Sequence, residues 1–318
     1  QQGVEKGRTV RTDCTVEETN IHAPTDSSLL WDGVRVLTRL MVQASEKVTV
    51  GFTDHRRRAK RRAIGIQHAP TNARRLPLYR DLLKVTDKTV SYAQSVAAAL
   101  DEYKGSSILD VALAGALATE LRHYVTLTRK VMDQTRRRVL EGQSLSASDK
   151  IVSIFEPHSD IIIKDRRDTL YGHKLALTTG ASGLVLDCVI EDGNPADSTL
   201  ALEMVERQAQ IYGRPPRQVS FDGGFASKAN LDDIKQLGVS DVCFSKSRFL
   251  HVTDMVKSSW VYRNLRRFRA GIEAGISFLK RCFGLDRCTW KGLASFKAYT
   301  WASIVSHNLL VMARHALA

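Results

Sequence analysis

The chain has 318 residues, enough for one large domain or two modest ones, and its 43% hydrophobic content is that of a globular protein. Its formal net charge of +13 favours a polyanionic partner, with nucleic acid as the first candidate and a membrane surface as the alternative. No run of about 18 apolar residues predicts a membrane span and no segment has the pattern of a signal peptide, so we expect no membrane partner.

The cysteines argue against a disulfide framework or a zinc cluster. There are five of them, an odd number, and no two have the C-x2-C spacing of a metal site. They are Cys14, Cys188, Cys243, Cys282 and Cys288. We therefore expect reduced thiols in a cytoplasmic protein. The chain begins at Gln1 rather than at Met, and we expect an N-terminal region to be missing.

The first predicted strand covers residues 10–21, which are rich in Thr and Val and alternate in part between apolar and polar side chains. Asp13 lies inside this strand. Burying a carboxylate without a partner is costly, so Asp13 either faces solvent on a half-exposed strand or has a functional partner.

A long helical region follows the first strand. Asp26 or Ser27 can cap its first helix. Apolar residues recur at helical spacing over residues 30–48, and two longer helical patterns cover residues 77–103 and 107–141. We expect about three helices, each with one face hidden against the others.

A basic run, HRRRAKRR, occupies residues 55–62 and interrupts the helical patterns. Its arginines are Arg56, Arg57, Arg58, Arg61 and Arg62. Such a run is usually a solvated helix face or a linker. Five Arg and one Lys among eight residues also favour contact with DNA phosphates, which would supply affinity without sequence selectivity.

From residue 153 onwards the pattern changes to strands alternating with helices. Strands are predicted at residues 161–165, 172–179, 183–191, 218–222 and 241–244, and helices at 199–212, 228–237 and 296–315. Asp197 or Ser198 can cap the first of these helices. Asp222 ends a short buried strand and is followed by Gly223 and Gly224. It is either a turn-forming Asp-Gly or a ligand-site residue, since open α/β sheets bind ligands beyond their strand ends.

Residues 266–280, RRFRAGIEAGISFLK, are predicted to form a helix whose apolar side chains make one stripe. Glu273 lies beside that stripe, on the flank that also carries Arg266, Arg269 and Lys280. An ordinary ion pair of i,i+4 spacing would account for Arg269 and Glu273 without any function. The spacing R-x3-E-x6-K also resembles the Y-x2-R-x3-E-x6-K signature of bacterial insertion-sequence transposases with a DDE catalytic triad. Arg266 stands at the Tyr position, which departs from that signature.

Two further elements resemble the same family: D-C-T at residues 13–15 and D-G-G-F at residues 222–225. The resemblance implies an α/β, ribonuclease-H-like mixed sheet flanked by helices, with an all-helical insertion between the first and second strands. The predicted divisions are residues 1–25 for the first strand, 26–148 for the insertion and 149–318 for the rest of the catalytic domain. A DNA-binding region is expected to be missing from the N-terminus.

The resemblance also implies the chemistry of the site. Asp13, Asp222 and Glu273 would be catalytic and would bind Mg2+ or Mn2+, as two ions, so we expect their carboxylates to converge. The predicted DNA-binding residues are Arg266, Arg269 and Lys280, together with Arg56, Arg57, Arg58, Arg61 and Arg62.

The implied function is metal-dependent cleavage of DNA ends followed by strand transfer. The implied partners are double-stranded DNA and a second copy of the chain, in a bacterial protein that is cytoplasmic and associated with the nucleoid. The alternatives are a non-catalytic DNA-binding remnant of a transposase and a ribonuclease-H-like nuclease.

Overall fold

The computed structural model describes residues 3–164, 168–246 and 249–317. The chain packs into two units, one made of Gln1–Asn20 with Asp160–Ala318 and the other of Ile21–Ser159. None of the helices described is long and apolar enough to cross a membrane.

The unit at Ile21–Ser159 is helical, and all of its residues are described. Its elements are α1 (Asp26–Ala44), α2 (Arg56–His68), α3 (Asn72–Asp101) and α4 (Ile108–Thr135), which continues into a π-helical turn at Arg136–Leu140. The residue that caps α1 is Thr25, not Asp26 or Ser27. Its backbone is still extended, and its hydroxyl accepts a hydrogen bond from Ser28 N.

The basic run is itself a helix, so the expectation of about three helices is one too few. Ala59, Ala63 and Ile66 of α2 are buried, at spacings of four and three residues, which gives this helix one small apolar face. Arginine and lysine are good helix formers, so the remaining positions are compatible with a helix. The strong charge of the run masked this short apolar repeat in the sequence.

The second unit is built on one mixed sheet. Its strands are β1 (Thr9–Thr19), β2 (Asp160–Lys164), β3 (Asp168–Gly180), β4 (Val185–Ile190), β5 (Gln218–Phe221), β6 (Asp241–Phe244) and β7 (Arg287–Cys288). The strand order is β2-β3-β1-β5-β6, with β4 also paired to β3 and β7 to β1. β1 is antiparallel to β3 and parallel to β5, and β5 is parallel to β6.

The helices of this unit pack on the sheet. They are α5 (Asp197–Tyr212), α6 (Lys228–Gln236), α7 (Val252–Met255), α8 (Ser259–Phe283) and α9 (Leu293–Leu317). One apolar core joins β5 and β6 to α5, α6 and α8, and a second joins β3 and β4 to α8 and α9. This mixed sheet flanked by helices is the predicted ribonuclease-H-like fold.

Several local predictions differ from the structure. Asp197 and Ser198 do not cap α5, whose N-cap is Ala196; the Asp197 carboxylate instead pairs with Lys174. The elements α7 and β7 were not predicted, because four and two residues are too short to show a periodic pattern. Asp165, the last residue of one predicted strand, lies outside the described residues.

Candidate active site

Neighbouring strands place two acids side by side. β1 and β5 are parallel, and their register sets Thr12 opposite Phe221. Asp13 and Asp222 are the next residues along the two chains, so their positions are adjacent in the sheet. Asp13 is partly buried within β1, whereas Asp222 follows the last residue of β5.

Helix α8 carries the third acid. Ser258 caps this helix by accepting a hydrogen bond from Val261 N, and Gly284, with a φ of 79°, ends it. The buried residues of α8 are Val261, Leu265, Ile272 and Leu279. This stripe fixes the rotation of the helix, and it leaves Glu273 at the edge of the stripe, within reach of the acids on the sheet.

Arg11 on β1 fixes the position of α8 against the sheet. Its guanidinium donates to Phe268 O at 2.5 Å and to Thr179 Oγ1 at 2.9 Å, and it lies 4.5 Å from the centre of the Phe268 ring. A Cβ at Gly271 would collide with this guanidinium, so the close approach requires glycine at that position. No local pattern in the sequence distinguishes Arg11, because its contacts depend on residues more than 160 positions away.

One guanidinium contacts all three predicted acids. Arg269 Nη2 lies 3.0 Å from Asp13 Oδ2 and 3.3 Å from Asp222 Oδ1, and Arg269 Nη1 lies 2.8 Å from Glu273 Oε1. The structure therefore brings the three carboxylates together around a single cationic group. The ordinary i,i+4 ion pair between Arg269 and Glu273 is also present, as part of this larger cluster.

The two aspartates differ in their electrostatic environment. Burial raises the pKa of Asp13 to about 6, although the neighbouring Arg269 opposes that change. Burial alone would also raise the pKa of Asp222. Hydrogen bonds from the Ser245 hydroxyl and the Gly223 backbone, together with the positive charges of Arg269 and Lys246, outweigh burial, and the pKa of Asp222 is lower than usual. Asp222 is therefore the more strongly acidic of the pair.

Ser245 is a further residue of the site that sequence analysis missed. Its hydroxyl donates to Asp222 Oδ1 at 2.7 Å. Ser245 follows the last residue of β6 as Asp222 follows the last residue of β5, and the two strands are parallel neighbours. The rule that parallel strands end at the same edge of a sheet was the signal that could have identified it.

The three acids line a cleft of about 440 Å3 in the sheet unit. Lys174 and Asp197 line the same cleft, where Lys174 Nζ lies 2.5 Å from Asp197 Oδ1 and donates to Pro195 O at 2.6 Å. Asp197 is thus a fourth carboxylate in the cleft, and its charge is paired with the Lys174 ammonium. Nothing in its sequence neighbourhood distinguished it from a helix-capping residue.

The sequence model of the family described as Transposase DDE domain matches residues 132–309, more than half of the chain. The chain belongs to the DDE transposase family. The matched range contains Asp222 and Glu273 but not Asp13, whose place beside them is a finding of the structure. No curated protein and no solved structure matches the chain.

DDE transposases generally use divalent metal ions, so the residues of the cleft can be compared with that requirement. Three carboxylates supply the oxygen ligands that Mg2+ and Mn2+ prefer, and they already surround one cationic group. The types of ligand therefore fit such an ion. Over residues 3–164, 168–246 and 249–317, however, no three His, Cys, Asp or Glu side chains are arranged to hold a metal. The guanidinium of Arg269 lies among the carboxylates instead.

The other basic residues of the transposase signature lie on α8 with different contacts. Lys280 Nζ donates to Val16 O at 2.8 Å and lies 3.3 Å from Asp286 Oδ1, so it connects the helix to β1. Arg266 is exposed, 5.8 Å from the centre of the Tyr262 ring. The DNA-binding role predicted for Arg266, Arg269 and Lys280 stays a prediction.

The arginines of α2 fall into two groups. Arg56 pairs with Asp54, and Arg58 and Arg62 both pair with Asp81. Within the described part of the chain no ion pair involves Arg57 or Arg61, and both side chains are exposed. If α2 binds phosphate, Arg57 and Arg61 are the arginines whose charge is available for it.

Proposed function

We propose that this chain is an insertion-sequence transposase that cleaves DNA at the ends of the element and transfers the freed strand to target DNA. The observation that supports the proposal is the convergence of Asp13, Asp222 and Glu273, which belong to two strands and one helix, on one cationic group. Clustered carboxylates repel one another unless cations balance them. A cluster assembled from three separate elements therefore favours a site that binds cations over incidental packing.

The proposed reaction has two phosphoryl-transfer steps. In the first, a water oxygen attacks a phosphorus at the end of the element, the bond from that phosphorus to the 3′ oxygen breaks, and the strand is left with a 3′-hydroxyl. In the second, this hydroxyl attacks a phosphorus of the target strand. A new bond from that phosphorus to the attacking 3′ oxygen forms as the bond to the target's own 3′ oxygen breaks.

The residues of the cleft have distinct proposed roles. Asp13, Asp222 and Glu273 would hold two Mg2+ or Mn2+ ions, which when bound activate the attacking oxygen and stabilise the leaving oxygen. The Ser245 hydroxyl fixes the orientation of the Asp222 carboxylate. Arg11 holds α8 against β1 and so keeps Glu273 beside the two aspartates.

The proposed partners are double-stranded DNA and a second copy of the chain. The net charge of +13 supports a polyanionic partner. Arg266 and Lys280 lie on the same helix as Glu273, where contacts to the DNA backbone would position a phosphate next to the acids. A homodimer is proposed because two ends of one element must be cut and joined together.

The test is an assay of DNA cleavage and DNA binding in parallel. The full-length protein would be incubated with DNA carrying the terminal repeats of the element, with Mn2+ and, as the control, with EDTA. The proposal predicts strand cleavage that requires Mn2+. A shift in DNA mobility without cleavage would support a non-catalytic DNA-binding protein, and cleavage of unrelated duplexes at the same rate would support a general nuclease.

A further inference from the structure

Arg269 differs from the other cations near the cleft in what it contacts. Lys174 is committed to Asp197 and Pro195 O, and Lys280 is committed to Val16 O and Asp286. Arg269 alone among the cationic side chains described contacts all three acids of the proposed catalytic set. Its side chain is only 14% exposed.

The contacts of Arg269 with the carboxylates leave one of its own nitrogens without a hydrogen bond. Both terminal nitrogens contact acids, whereas Nε is buried and has no hydrogen-bond partner among the described residues. A buried N–H without a partner is unfavourable. The position of the guanidinium is therefore set by the negative charge of the cluster and not by a complete set of contacts around the arginine.

We propose that Arg269 is the resident counter-cation of the three carboxylates, and that Arg269 and a divalent cation compete for the same carboxylate oxygens. This inference rests on the proposed function, because it concerns the ion that the proposed reaction needs. It assigns Arg269 a positioning role within the acid cluster, in addition to the phosphate contact predicted from the family signature.

The competition follows from shared atoms. Asp13 Oδ2 and Asp222 Oδ1 both lie within 3.3 Å of the same nitrogen, Arg269 Nη2. An ion such as Mg2+ binds its oxygen ligands at about 2.1 Å. An ion bound to these two oxygens would lie close to Arg269 Nη2, and the two positive charges would repel each other. The two cations therefore exclude each other from these oxygens.

The same competition connects ion binding to the contact with DNA. While Arg269 contacts the acids, its two terminal nitrogens are committed to carboxylates. Its displacement would free them on a helix that also carries Arg266 and Lys280. A guanidinium donates well to phosphate, so the displaced side chain becomes available to the DNA backbone.

The test measures ion binding without DNA and without catalysis. Titration calorimetry with Mn2+ would compare the parent protein, Arg269→Gln and the control Arg267→Gln. Arg267 is exposed on the same helix and makes no ion pair with any residue described, so its substitution removes the same charge without touching the cluster. Arg269→Gln is expected to bind Mn2+ at least about tenfold more tightly than the parent, because a competing close charge is gone. Arg267→Gln is expected to bind as the parent does.

A second measurement separates competition from a general structural role. In EDTA, Arg269→Gln should unfold several degrees below the parent, because the carboxylates then repel without a counter-cation, and saturating Mn2+ should stabilise this variant more than it stabilises the parent. If Arg269→Gln does not fold, Arg269→Lys provides the test. A lysine has one terminal nitrogen instead of two and cannot contact all three acids as Arg269 does. The Arg269→Lys variant should therefore compete less with the ion and bind Mn2+ more tightly than the parent protein.

Equal or weaker Mn2+ binding by the Arg269 variants would overturn the inference. If the parent still cleaves DNA with Mn2+ in that case, the proposed function stands and only the competition is wrong. If neither the parent nor the variants bind Mn2+, both the competition and the metal-dependent function are contradicted.

Discussion

Glu17 is a second unusual carboxylate on β1, four residues after Asp13. It is fully buried, Thr300 Oγ1 donates to its Oε2 at 2.6 Å, and its Oε1 has no hydrogen-bond partner in the described chain. Burial raises the pKa of Glu17 to about 7, against an ordinary value of 4.5, although the Thr300 hydrogen bond opposes the change. The folded protein therefore holds a proton on Glu17 at a pH where the unfolded chain has released it.

This difference predicts that stability falls as pH rises. Between about pH 4.5 and pH 7 the folded state binds more protons than the unfolded state, so the free energy of unfolding decreases with pH. The loss should be of the order of 3 kcal/mol, at about 1.4 kcal/mol for each unit of pKa.

Glu17→Gln should remove this part of the dependence of the free energy of unfolding on pH, as measured by urea denaturation at about pH 5 and about pH 7.5. Asp13, whose pKa is also raised, acts in the same direction, so the informative quantity is the difference between the parent and Glu17→Gln. Identical slopes for the two proteins would contradict the prediction.

At the residue scale, the sequence singled out the three carboxylates that lie together in the structure, but not the groups that surround them. Asp13, Asp222 and Glu273 could be predicted because each stands in a local motif with fixed spacing. Arg11 and Ser245 act through contacts with residues far away in sequence, and the register that creates those contacts is a tertiary property. Arg269 was predicted from its spacing, but its contact with all three acids could not be.

At the element scale, the position of α8 depends on one glycine. Arg11 crosses the helix at Gly271, where a Cβ would collide with the guanidinium. That guanidinium is held by Phe268 O and Thr179 and therefore cannot move aside without losing those hydrogen bonds.

Two glycine substitutions on α8 should consequently have opposite effects. Gly271→Ala is expected to destabilise the protein by about 1–3 kcal/mol, the usual cost of forcing an atom into a packed site. Gly275→Ala should instead stabilise it by up to about 1 kcal/mol, since a Cβ there meets nothing within 4 Å and alanine favours the helix. Thermal unfolding of the two variants provides the measurement. Stabilisation by both alanines would show that Arg11 does not pack closely against α8.

Long periodic elements were predictable from the sequence, and their ends were less so. The predicted helix at residues 266–280 extends in the structure to Ser259–Phe283, because Ser258 and Gly284 supply the caps. The helix α2 was missed because its apolar repeat is confined to small side chains between arginines.

At the scale of the whole molecule, the mixed sheet followed from the order of strands and helices together with the family resemblance. The pairing of β1 between β3 and β5 could not be derived from local patterns, since these partners are more than 140 residues away along the chain. That pairing is what places Asp13 next to Asp222.

The whole-molecule charge predicts how α2 contributes to DNA binding. Replacing all five arginines with alanine should weaken binding about equally for every DNA sequence. The five are Arg56, Arg57, Arg58, Arg61 and Arg62. The pair Arg57→Ala and Arg61→Ala should lower the slope of log affinity against log salt by about 2, because these side chains have no acidic partner among the described residues.

The matched control is the pair Arg58→Ala and Arg62→Ala. Both arginines pair with Asp81, whose single negative charge offsets one of their two positive charges, so their loss should change the salt slope less. Filter-binding titrations from about 50 to 200 mM salt would measure the DNA affinity of both double variants. Affinity that depends on phosphate contacts falls steeply over this range of salt concentration. Unchanged slopes for both pairs would mean that α2 presents a solvated surface and does not contact DNA.

The three converging carboxylates are proposed to form one metal-dependent active site. The most direct test of this proposal is Mg2+-dependent nicking of terminal-repeat DNA by Glu273→Gln, with DNA binding measured in parallel. The amide keeps the shape of the side chain but removes a charge that the ions need, so nicking should fall by about two orders of magnitude or more while DNA binding is retained. Glu206→Gln, an exposed change on α5, is the control and should nick at the parent rate. If Glu273→Gln also nicks at the parent rate, then Glu273 is not a metal ligand, its contact with Arg269 is an ordinary i,i+4 ion pair, and this proposal is contradicted.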